Sequence, residues 1–365
     1  MIFLLLLLLP SQLAFHFWPS WSLISGIRVD YLSPTVYLTD LIILGLFLTS
    51  RLRIRVPLPV IIFAVLNILI SSFPLLTIYK WLRVLEYFWL FKYLVKKHLA
   101  LSTWPLALAV IWTSGLAWWQ FFLQHSVGGL WYWLGERPLS VSMPGIAKVS
   151  LGFGAWDLGL VMRPYATFPH PNALAGFLLV AGLILYFLNR KVTPAVVVAF
   201  LTIPLTFSRT AIVLEIIILL IYLRPVILKF VLLVSSIYYL VSITGPAVSL
   251  PDRLSLILNS FLLILKSPIL GVGLGNFLPA TGLYQPVHNI YLLLTSELGI
   301  PVVLLIGYWI IKNSLKIENW KLKIAILVVL ATGLIDHYWL TLHQNTLLLV
   351  ILIAYAYSYR WGSQR

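Results

Sequence analysis

Long runs of apolar residues separated by short polar connections dominate this chain. A helix that crosses a bilayer needs roughly 20 apolar residues, and the chain offers about twelve candidate stretches, several of them shorter than that. The predicted spans are 2–18, 33–50, 57–76, 78–95, 101–124, 167–188, 192–207, 210–223, 226–244, 288–311, 324–341 and 343–358. The pattern therefore predicts an all-α, polytopic integral membrane protein, with a single transmembrane domain over residues 1–365 and two larger extracytoplasmic loops, 125–166 and 245–287.

Most lysines and arginines fall in every second connection, and the positive-inside rule makes those connections cytoplasmic. They are Arg51, Arg53, Arg55, Lys92, Lys96, Lys97, Arg190, Lys191, Arg224, Lys229, Lys312, Lys316, Lys321, Lys323, Arg360 and Arg365. Both termini are then cytoplasmic, and we expect a multi-pass protein of the inner (cytoplasmic) membrane.

Composition narrows the function further. The chain is 61% hydrophobic and 10% charged, so its net charge of +15 is mostly a topological signal and no nucleic-acid partner is expected. Cysteine is absent, which excludes disulfides and thiolate chemistry. The first nine residues lack the basic region and cleavage site of a signal peptide, so we expect them to begin the first span.

Three polar residues that topology does not require are predicted on the extracytoplasmic side: Arg209, Arg253 and His288. Arg209 lies between two apolar runs with no room for a loop, where an arginine must be paired, face an aqueous cavity or snorkel to lipid phosphates. Arg253 follows Asp252, with which it could form a surface ion pair. His288 opens a span, either as a helix cap or as a general base.

Further candidates lie at other outer helix ends. Residues 167–172 (Thr-Phe-Pro-His-Pro-Asn) lead into an apolar helix, whose positive N-terminal end attracts phosphate or carboxylate; a simple helix start is the alternative for His170. Arg163 lies just before this helix. Arg83 shares a helix face with Glu86, which favours either an internal ion pair or a contact to lipid phosphate.

Several features remain without a role. Glu215 and Glu297 are embedded in apolar helices, and the sequence does not name their partners. The glycines at 271, 273 and 275 fit a dinucleotide loop only weakly, because no βαβ unit surrounds them, and they predict a tight turn at the membrane interface instead.

With these residues in order, the chain resembles the O-antigen ligase and O-antigen polymerase superfamily of integral membrane glycosyltransferases over about residues 163–354. The resemblance rests on an ordered series of short motifs. They are Phe168-Pro169-His170-Pro171-Asn172-Ala173-Leu174-Ala175, Ser208-Arg209-Thr210-Ala211, Arg253, the run 268–277 (PILGVGLGNF), His288-Asn289 and Glu297-Leu298-Gly299. Asp40 is also similar to the family pattern.

The resemblance implies an extracytoplasmic active site whose donor is an undecaprenyl-diphosphate-linked glycan. It implies that Arg209 and Arg253 hold the diphosphate and that His288 activates the acceptor hydroxyl of a lipid, glycan or protein. By position, we expect Arg163 as an accessory clamp. Arg83, His170, Asn172 and Asn289 complete the predicted substrate-binding set.

The acidic residues bear on whether a metal is needed. The outer loops offer Asp30, Glu136, Asp157 and Asp252, and none forms a paired motif with metal-ligand spacing. Arginine can stabilise a departing diphosphate in place of a metal ion and stays charged at any relevant pH. We therefore predict a metal-independent reaction without a cofactor.

Two alternatives stay open. A chain-elongating polysaccharide polymerase of the same superfamily shares these motifs with a ligase of lipopolysaccharide biosynthesis, because acceptor choice lies in variable loops. A transporter of lipid-linked or inorganic anions would also need outer arginines. An alternating-access path, however, requires polar residues near the membrane midplane, and only Glu215 and Glu297 qualify; both are negative, which argues against an anion route.

Overall fold

The computed structural model describes residues 1–97, 103–153, 156–222, 226–244, 250–314 and 320–362. Parts of the sequence-based predictions lie outside these residues. They are the basic residues Arg224, Lys316 and Arg365, the ends of two predicted spans (101–102 and 223), and positions 154–155 and 245–249 of the two loops.

The fold is mostly helical. Its helices are α1 (Ile2–Leu7), α2 (Leu38–Thr49), α3 (Leu58–Leu69), α4 (Pro74–Lys96), α5 (Trp104–Leu123), α6 (Pro171–Asn189), α7 (Pro194–Leu205), α8 (Arg209–Tyr222), α9 (Val226–Ser242), α10 (Leu250–Lys266), α11 (Phe277–Thr281), α12 (Ile290–Leu298), α13 (Ile300–Ser314), α14 (Trp320–Gly333), α15 (Tyr338–Thr341) and α16 (His343–Gly362).

The fold is mostly helical as predicted, but it is not all-α, because it also contains short antiparallel strands. The strands are β1 (Ala14–His16), β2 (Leu23–Ile24), β3 (Ile27–Arg28), β4 (Thr35–Tyr37), β5 (Lys148–Phe153), β6 (Trp156–Met162) and β7 (Ile243–Thr244). β1 pairs with β4 and β2 with β3, while β5 pairs with both β6 and β7. Thus the predicted loop 125–166 contains a β-hairpin, and the predicted loop 245–287 contains α10 and α11.

Twelve membrane-spanning helices are not confirmed. Within the described residues, two helices are long and apolar enough to cross a membrane by length and composition, Trp104–Leu123 and Pro171–Asn189. Other apolar helices are shorter, between 10 and 17 residues. The fold class that the structure supports is therefore a mostly helical protein with several apolar helices.

Several predicted spans are interrupted, as three of them illustrate. Span 2–18 is helical only as far as Leu7 and then enters β1, because Pro10 cannot continue a helix. Span 288–311 divides into α12 and α13 at Gly299, whose φ of 82° lies in the left-handed region. Span 324–341 ends as a helix at Gly333 and resumes as the short helix α15.

Helix α6 forms the centre of the core. Most of its residues are buried, and it packs against α5, α7, α14 and α16. Pro171 occupies the first turn, and the His170 side chain caps the helix by accepting a hydrogen bond from the Asn172 backbone N–H at 3.1 Å. The helix start predicted at this point is therefore confirmed. It holds His170 and Asn172 at the beginning of α6.

Candidate functional site

Several of the predicted functional residues lie at the end of the molecule where helices α6, α12 and α16 begin and α14 ends. We call this end the site face. Asn345 Nδ2 donates to the Ala173 carbonyl at 3.0 Å, so the first turns of α16 and α6 lie side by side. Asn289 Nδ2 donates to the Leu334 carbonyl at 3.1 Å, which joins the start of α12 to the end of α14. At the opposite end of α6, Asn189 accepts a hydrogen bond from Thr103 at the start of α5.

A continuous polar chain crosses the site face. The Arg163 guanidinium donates to Asn172 Oδ1 at 2.6 Å, and Asn172 Nδ2 donates to Asp336 Oδ2 at 3.1 Å. The other carboxylate oxygen, Asp336 Oδ1, lies 3.5 Å from His288 Nδ1. A single row of side chains thus connects an arginine to the predicted general base.

The His288 ring lies close to this carboxylate, but its Nδ1 makes no hydrogen bond to it. The 3.5 Å separation is longer than an ordinary N–H···O hydrogen bond, and His288 Nδ1 is buried without a hydrogen-bond partner among the described residues. The side chain of His288 is 20% exposed. His288 therefore has access to the site opening on one side and an anionic neighbour on the other.

Asn289 acts as the helix cap beside His288. Its Oδ1 accepts hydrogen bonds from the backbone N–H groups of Tyr291 and Leu292 at 2.9 and 3.0 Å, while its Nδ2 is held by Leu334. The amide predicted to bind substrate is thus engaged in fixing the turn that carries His288.

Arg209 is exposed at the first residue of α8. The preceding turn is anchored to Arg163, whose Nε donates to the Thr206 carbonyl at 2.6 Å. Burial, together with the nearby charge of Arg209, lowers the pKa of Arg163 to about 10, so Arg163 remains a cation at neutral pH. Two guanidiniums therefore lie near each other on the site face, and one of them is exposed.

Arg253 lies toward the same end of the molecule as His288, because the helix that carries Arg253 packs beside the helix that follows His288. Ser296 Oγ donates to the Ser260 carbonyl at 3.4 Å, and Ile300 N donates to the Pro268 carbonyl at 2.8 Å. These two contacts make α10 and α12 parallel, which places the start of each helix at the site face. Arg253 Nε is buried with no hydrogen-bond partner in the described part of the chain.

Asp336 and His337 are residues to which the sequence assigns no role. They lie in the turn between α14 and α15, and their proximity to Asn172 and His288 depends on pairing segments far apart in the chain. The His337 ring centroid is 5.0 Å from that of His288, and the backbone N–H of His337 donates to Asp336 Oδ1 at 2.8 Å. An Asp-His pair at an outer helix end was the available signal, but it did not identify a partner.

Burial and charge fix the ionisation of this turn. Burial lowers the pKa of His337 to about 4, with the charge of Asp336 opposing this shift. Burial alone would raise the pKa of Asp336, but the contact with His288 and the nearby histidine charges outweigh it and hold the pKa of Asp336 well below its usual range. At neutral pH Asp336 is an anion and His337 is neutral.

The ionisation of His337 leads to a prediction about acid stability. The pKa of His337 is about 4 in the folded protein and about 6.5 in the unfolded chain. As the pH falls from about 6.5 toward 4, the unfolded chain binds a proton that the folded protein does not, so the free energy of unfolding decreases. We expect the His337→Asn variant to lose less thermal stability than the wild type between pH 7 and pH 5. Unfolding midpoints of both proteins in detergent measure this difference, and equal losses would contradict it.

Three ligand atoms at the site face have the arrangement of a metal site. His288, Asp336 and His337 each offer one ligand atom, and these atoms lie within 4.8 Å of one another. Two of the carboxylates weighed from the sequence are engaged elsewhere: Glu136 accepts from Gln120 and two backbone N–H groups, and Asp30 pairs with Arg137. Asp336, at the end of the last hairpin, was not among the carboxylates weighed from the sequence.

Arg83 belongs to a separate polar cluster. Its guanidinium contacts Glu86 at 2.7 Å, Asp40 at 2.8 Å and His343 Nδ1 at 2.6 Å. The Arg83–Glu86 pair is one of the two alternatives that the sequence left open. The arginine is thus fully engaged by internal partners that connect α2, α4 and α16.

The structure also gives a partner to one of the two embedded glutamates. Tyr31 OH donates to Glu297 Oε1 at 2.7 Å, and the Phe277 N–H donates to the same oxygen at 3.2 Å. Glu297 thereby anchors the glycine-rich turn, in which Gly271 has a φ of 69° and lies so close to the Glu297 backbone that a Cβ atom would collide with it. Both carboxylate oxygens of Glu215 are buried without a hydrogen-bond partner in the regions described.

No family model, no curated protein and no solved structure matches this chain. The resemblance to membrane glycosyltransferases therefore rests on the motifs in the sequence, and the geometry of the site face is independent information beside it.

Proposed function

We propose that this protein is an integral membrane glycosyltransferase that moves a glycan from an undecaprenyl-diphosphate carrier to an acceptor hydroxyl at the extracytoplasmic site face. The observation that carries the proposal is the polar chain from Arg163 through Asn172 and Asp336 to His288, with the exposed Arg209 beside it. This arrangement combines cations that suit a diphosphate with an imidazole that suits a hydroxyl, which are the two partners of such a transfer.

The membrane setting is supported by the outward faces of the helices. Large apolar side chains on α2, α3 and α13 are exposed, including Leu48 at 72%, Leu69 at 72% and Leu304 at 67%. Apolar surfaces of this extent favour contact with lipid. Helix α6 has 19 residues and is thus about 28 Å long, close to the roughly 30 Å of a bilayer core. Its site end begins at Pro171, and basic Arg190 and Lys191 follow its other end, in keeping with a cytoplasmic location there.

In the proposed reaction, the acceptor oxygen attacks the anomeric carbon of the donor glycan. A new C–O bond forms, the bond from that carbon to the diphosphate oxygen breaks, and the electron pair leaves with the diphosphate. His288 accepts the hydroxyl proton, and the guanidiniums of Arg209 and Arg253 stabilise the departing anion. Arg163 supports Arg209 from the adjacent turn, and no metal ion is required for these steps.

Asp336 acts on the reaction through His288. A carboxylate beside an imidazole orients the ring and stabilises the imidazolium that forms when the ring takes a proton. Because Asn172 and the His337 N–H hold the two oxygens of Asp336, the carboxylate is fixed before substrate arrives. Asp336 is therefore a positioning residue that links the donor-binding helix α6 to the base.

Substituting Asp336 by asparagine tests this role. We expect the Asp336→Asn variant to transfer glycan roughly a hundredfold more slowly, because the imidazolium loses its anionic neighbour. The loss should appear in kcat with little change in donor affinity, because the carboxylate acts through the base and not on the donor. A lowered unfolding midpoint, together with equal losses in kcat and in donor affinity, would indicate a purely structural role for Asp336.

The experiment that tests the proposed function uses purified protein, a synthetic lipid-diphosphate donor and a panel of acceptors in the presence of chelator. We expect glycan transfer to at least one acceptor: transfer to a lipid or protein identifies a ligase, and elongation of a second donor glycan identifies a polymerase. Failure with every acceptor, together with movement of the intact donor across proteoliposomes, would replace the proposal by the transporter alternative.

A further inference from the structure

The cluster of His288, Asp336 and His337 offers a metal-ion chemistry that the proposed reaction does not use. Each residue contributes one ligand atom, and the three atoms lie within 4.8 Å of one another. Two ligands of a tetrahedral zinc ion, each about 2.1 Å from the metal, are roughly 3.4 Å apart. The separation of His288 Nδ1 and Asp336 Oδ1 is 3.5 Å, so two of the three ligands already stand at the required distance.

The surroundings of His337 leave one of its nitrogens free to bind a metal. His337 Nδ1 lies 2.8 Å from Thr341 Oγ1, and that hydroxyl donates its own hydrogen to the His337 carbonyl at 3.1 Å. The hydroxyl must therefore accept from Nδ1–H, which leaves the lone pair on His337 Nε2. A hydrogen bond on the second ring nitrogen is the usual support of a metal-binding histidine.

The other two ligands are also held in place. Asp336 is positioned by Asn172 and by the His337 N–H, at 3.1 and 2.8 Å. His288 Nδ1 is buried and has no hydrogen-bond partner in the described regions, so a metal would satisfy an atom that the fold leaves unpaired. Two imidazoles and one carboxylate favour zinc, copper or nickel over magnesium or calcium, which prefer oxygen ligands.

We propose that His288, Asp336 and His337 form a binding site for a transition-metal cation, zinc in particular, and that zinc bound there inhibits glycan transfer. A neutral imidazole has a single nitrogen with a free lone pair, and the other nitrogen carries a hydrogen. When zinc takes that lone pair, His288 can no longer accept the proton of the acceptor hydroxyl. Metal binding is thus independent of the proposed function, whereas the inhibition rests on it.

The charge of Arg163 lowers the affinity for a cation. Its guanidinium lies close enough to Asp336 for their charges to interact, so it repels a dication bound at the cluster, and the Asp336 carboxylate opposes this repulsion. The arrangement therefore suits reversible binding that responds to the free zinc concentration. Diphosphate donor bound at the arginines would reduce this repulsion, so donor and zinc should strengthen each other's binding.

The test is direct metal binding to full-length protein in detergent, with any polyhistidine tag removed. Zinc bound at equilibrium is counted by elemental analysis, and Co²⁺ serves as a spectroscopic probe of nitrogen and oxygen coordination. We expect one zinc per chain in the wild type and at least about tenfold weaker binding in His337→Ala and Asp336→Asn, since even outer partners of a metal site change affinity by that factor. His125→Ala, at an exposed histidine outside the cluster, is the matched control and should bind as the wild type does.

Thr341→Val gives a milder variant that keeps all three ligands. It removes the hydroxyl that orients His337, so it should weaken zinc binding and leave the Co²⁺ spectrum qualitatively intact. This variant covers the case in which His337→Ala does not fold. Absence of zinc binding by the wild type, or equal binding by the wild type and all cluster variants, would overturn the proposed site.

Inhibition is measured separately on transfer. Added zinc should inhibit the wild type, and Thr341→Val, which keeps the base, the arginines and all three ligands, should transfer normally and need at least about tenfold more zinc for the same inhibition. Zinc that binds but leaves transfer unchanged would overturn the inhibitory role. If the wild type shows no transfer even without zinc, the proposed function fails, and the binding result stands on its own.

Discussion

Replacement of His288 by alanine is expected to abolish glycan transfer while the protein remains folded. The loss should be roughly a hundredfold to ten-thousandfold, the range that a positioned general base contributes. The imidazole is 20% exposed and its Nδ1 has no hydrogen-bond partner among the described residues, so removing it breaks no internal hydrogen bond. Transfer rates measured beside thermal unfolding midpoints in detergent separate the two effects.

His125→Ala provides the control for this experiment, because it removes an exposed imidazole on the same predicted loop side without touching the site face. Donor binding should be nearly unchanged in His288→Ala, since in the proposed mechanism the base acts on the acceptor hydroxyl and the arginines hold the diphosphate. Wild-type transfer rates in the His288 variant would remove this residue from the mechanism, whatever the behaviour of the arginines.

The second large effect is expected at Arg209. Removing one preorganised contact to a developing anion changes the transition-state energy by on the order of 3 kcal/mol, which corresponds to about a 150-fold slower reaction. We expect this loss in Arg209→Ala and only partial recovery in Arg209→Lys, because an ammonium cannot form the paired hydrogen bonds of a guanidinium. Initial rates at saturating donor measure the loss.

Arg137→Ala is the matched control for Arg209→Ala. Arg137 is a partly exposed arginine of the loop side, and its guanidinium pairs with Asp30 at 2.7 Å. An exposed pair of this kind contributes little to stability, so the control should transfer at nearly the wild-type rate. Equal losses in the two variants would point to a general effect of surface charge and would contradict a specific contact between Arg209 and the diphosphate.

The sequence predicted the helical character of the chain better than its helix boundaries. Apolar periodicity detects buried segments, but it does not distinguish a helix from a short buried strand, and this ambiguity led to the error at residues 14–16. There β1 pairs with β4, Thr35–Tyr37, and nothing within the first segment identifies that partner. Gly299 could be recognised in the sequence, but the helix boundary at this glycine could not be predicted. Its left-handed φ depends on the packing of the turn 268–273 against it.

The candidate site was predicted residue by residue but not as an arrangement. Arg209, His288 and Asn172 were identified from helix ends and short motifs, which are local properties. The contact of Asn172 with Asp336 joins positions 164 residues apart, and such pairings follow from tertiary packing. For the same reason no partner of Glu297 could be predicted, because its hydrogen bond comes from Tyr31, 266 residues earlier.

The most direct test of the central claim is the stoichiometry of the reaction in chelator. Purified wild-type protein is supplied with lipid-diphosphate donor and acceptor, and free lipid diphosphate and glycosylated acceptor are counted together over time. The proposed mechanism predicts equal amounts of both products in the wild type and neither in Arg209→Ala or His288→Ala on the same timescale. Release of lipid diphosphate without glycosylated acceptor, or equal product formation by the wild type and both variants, would contradict a glycosyl transfer carried out at this site.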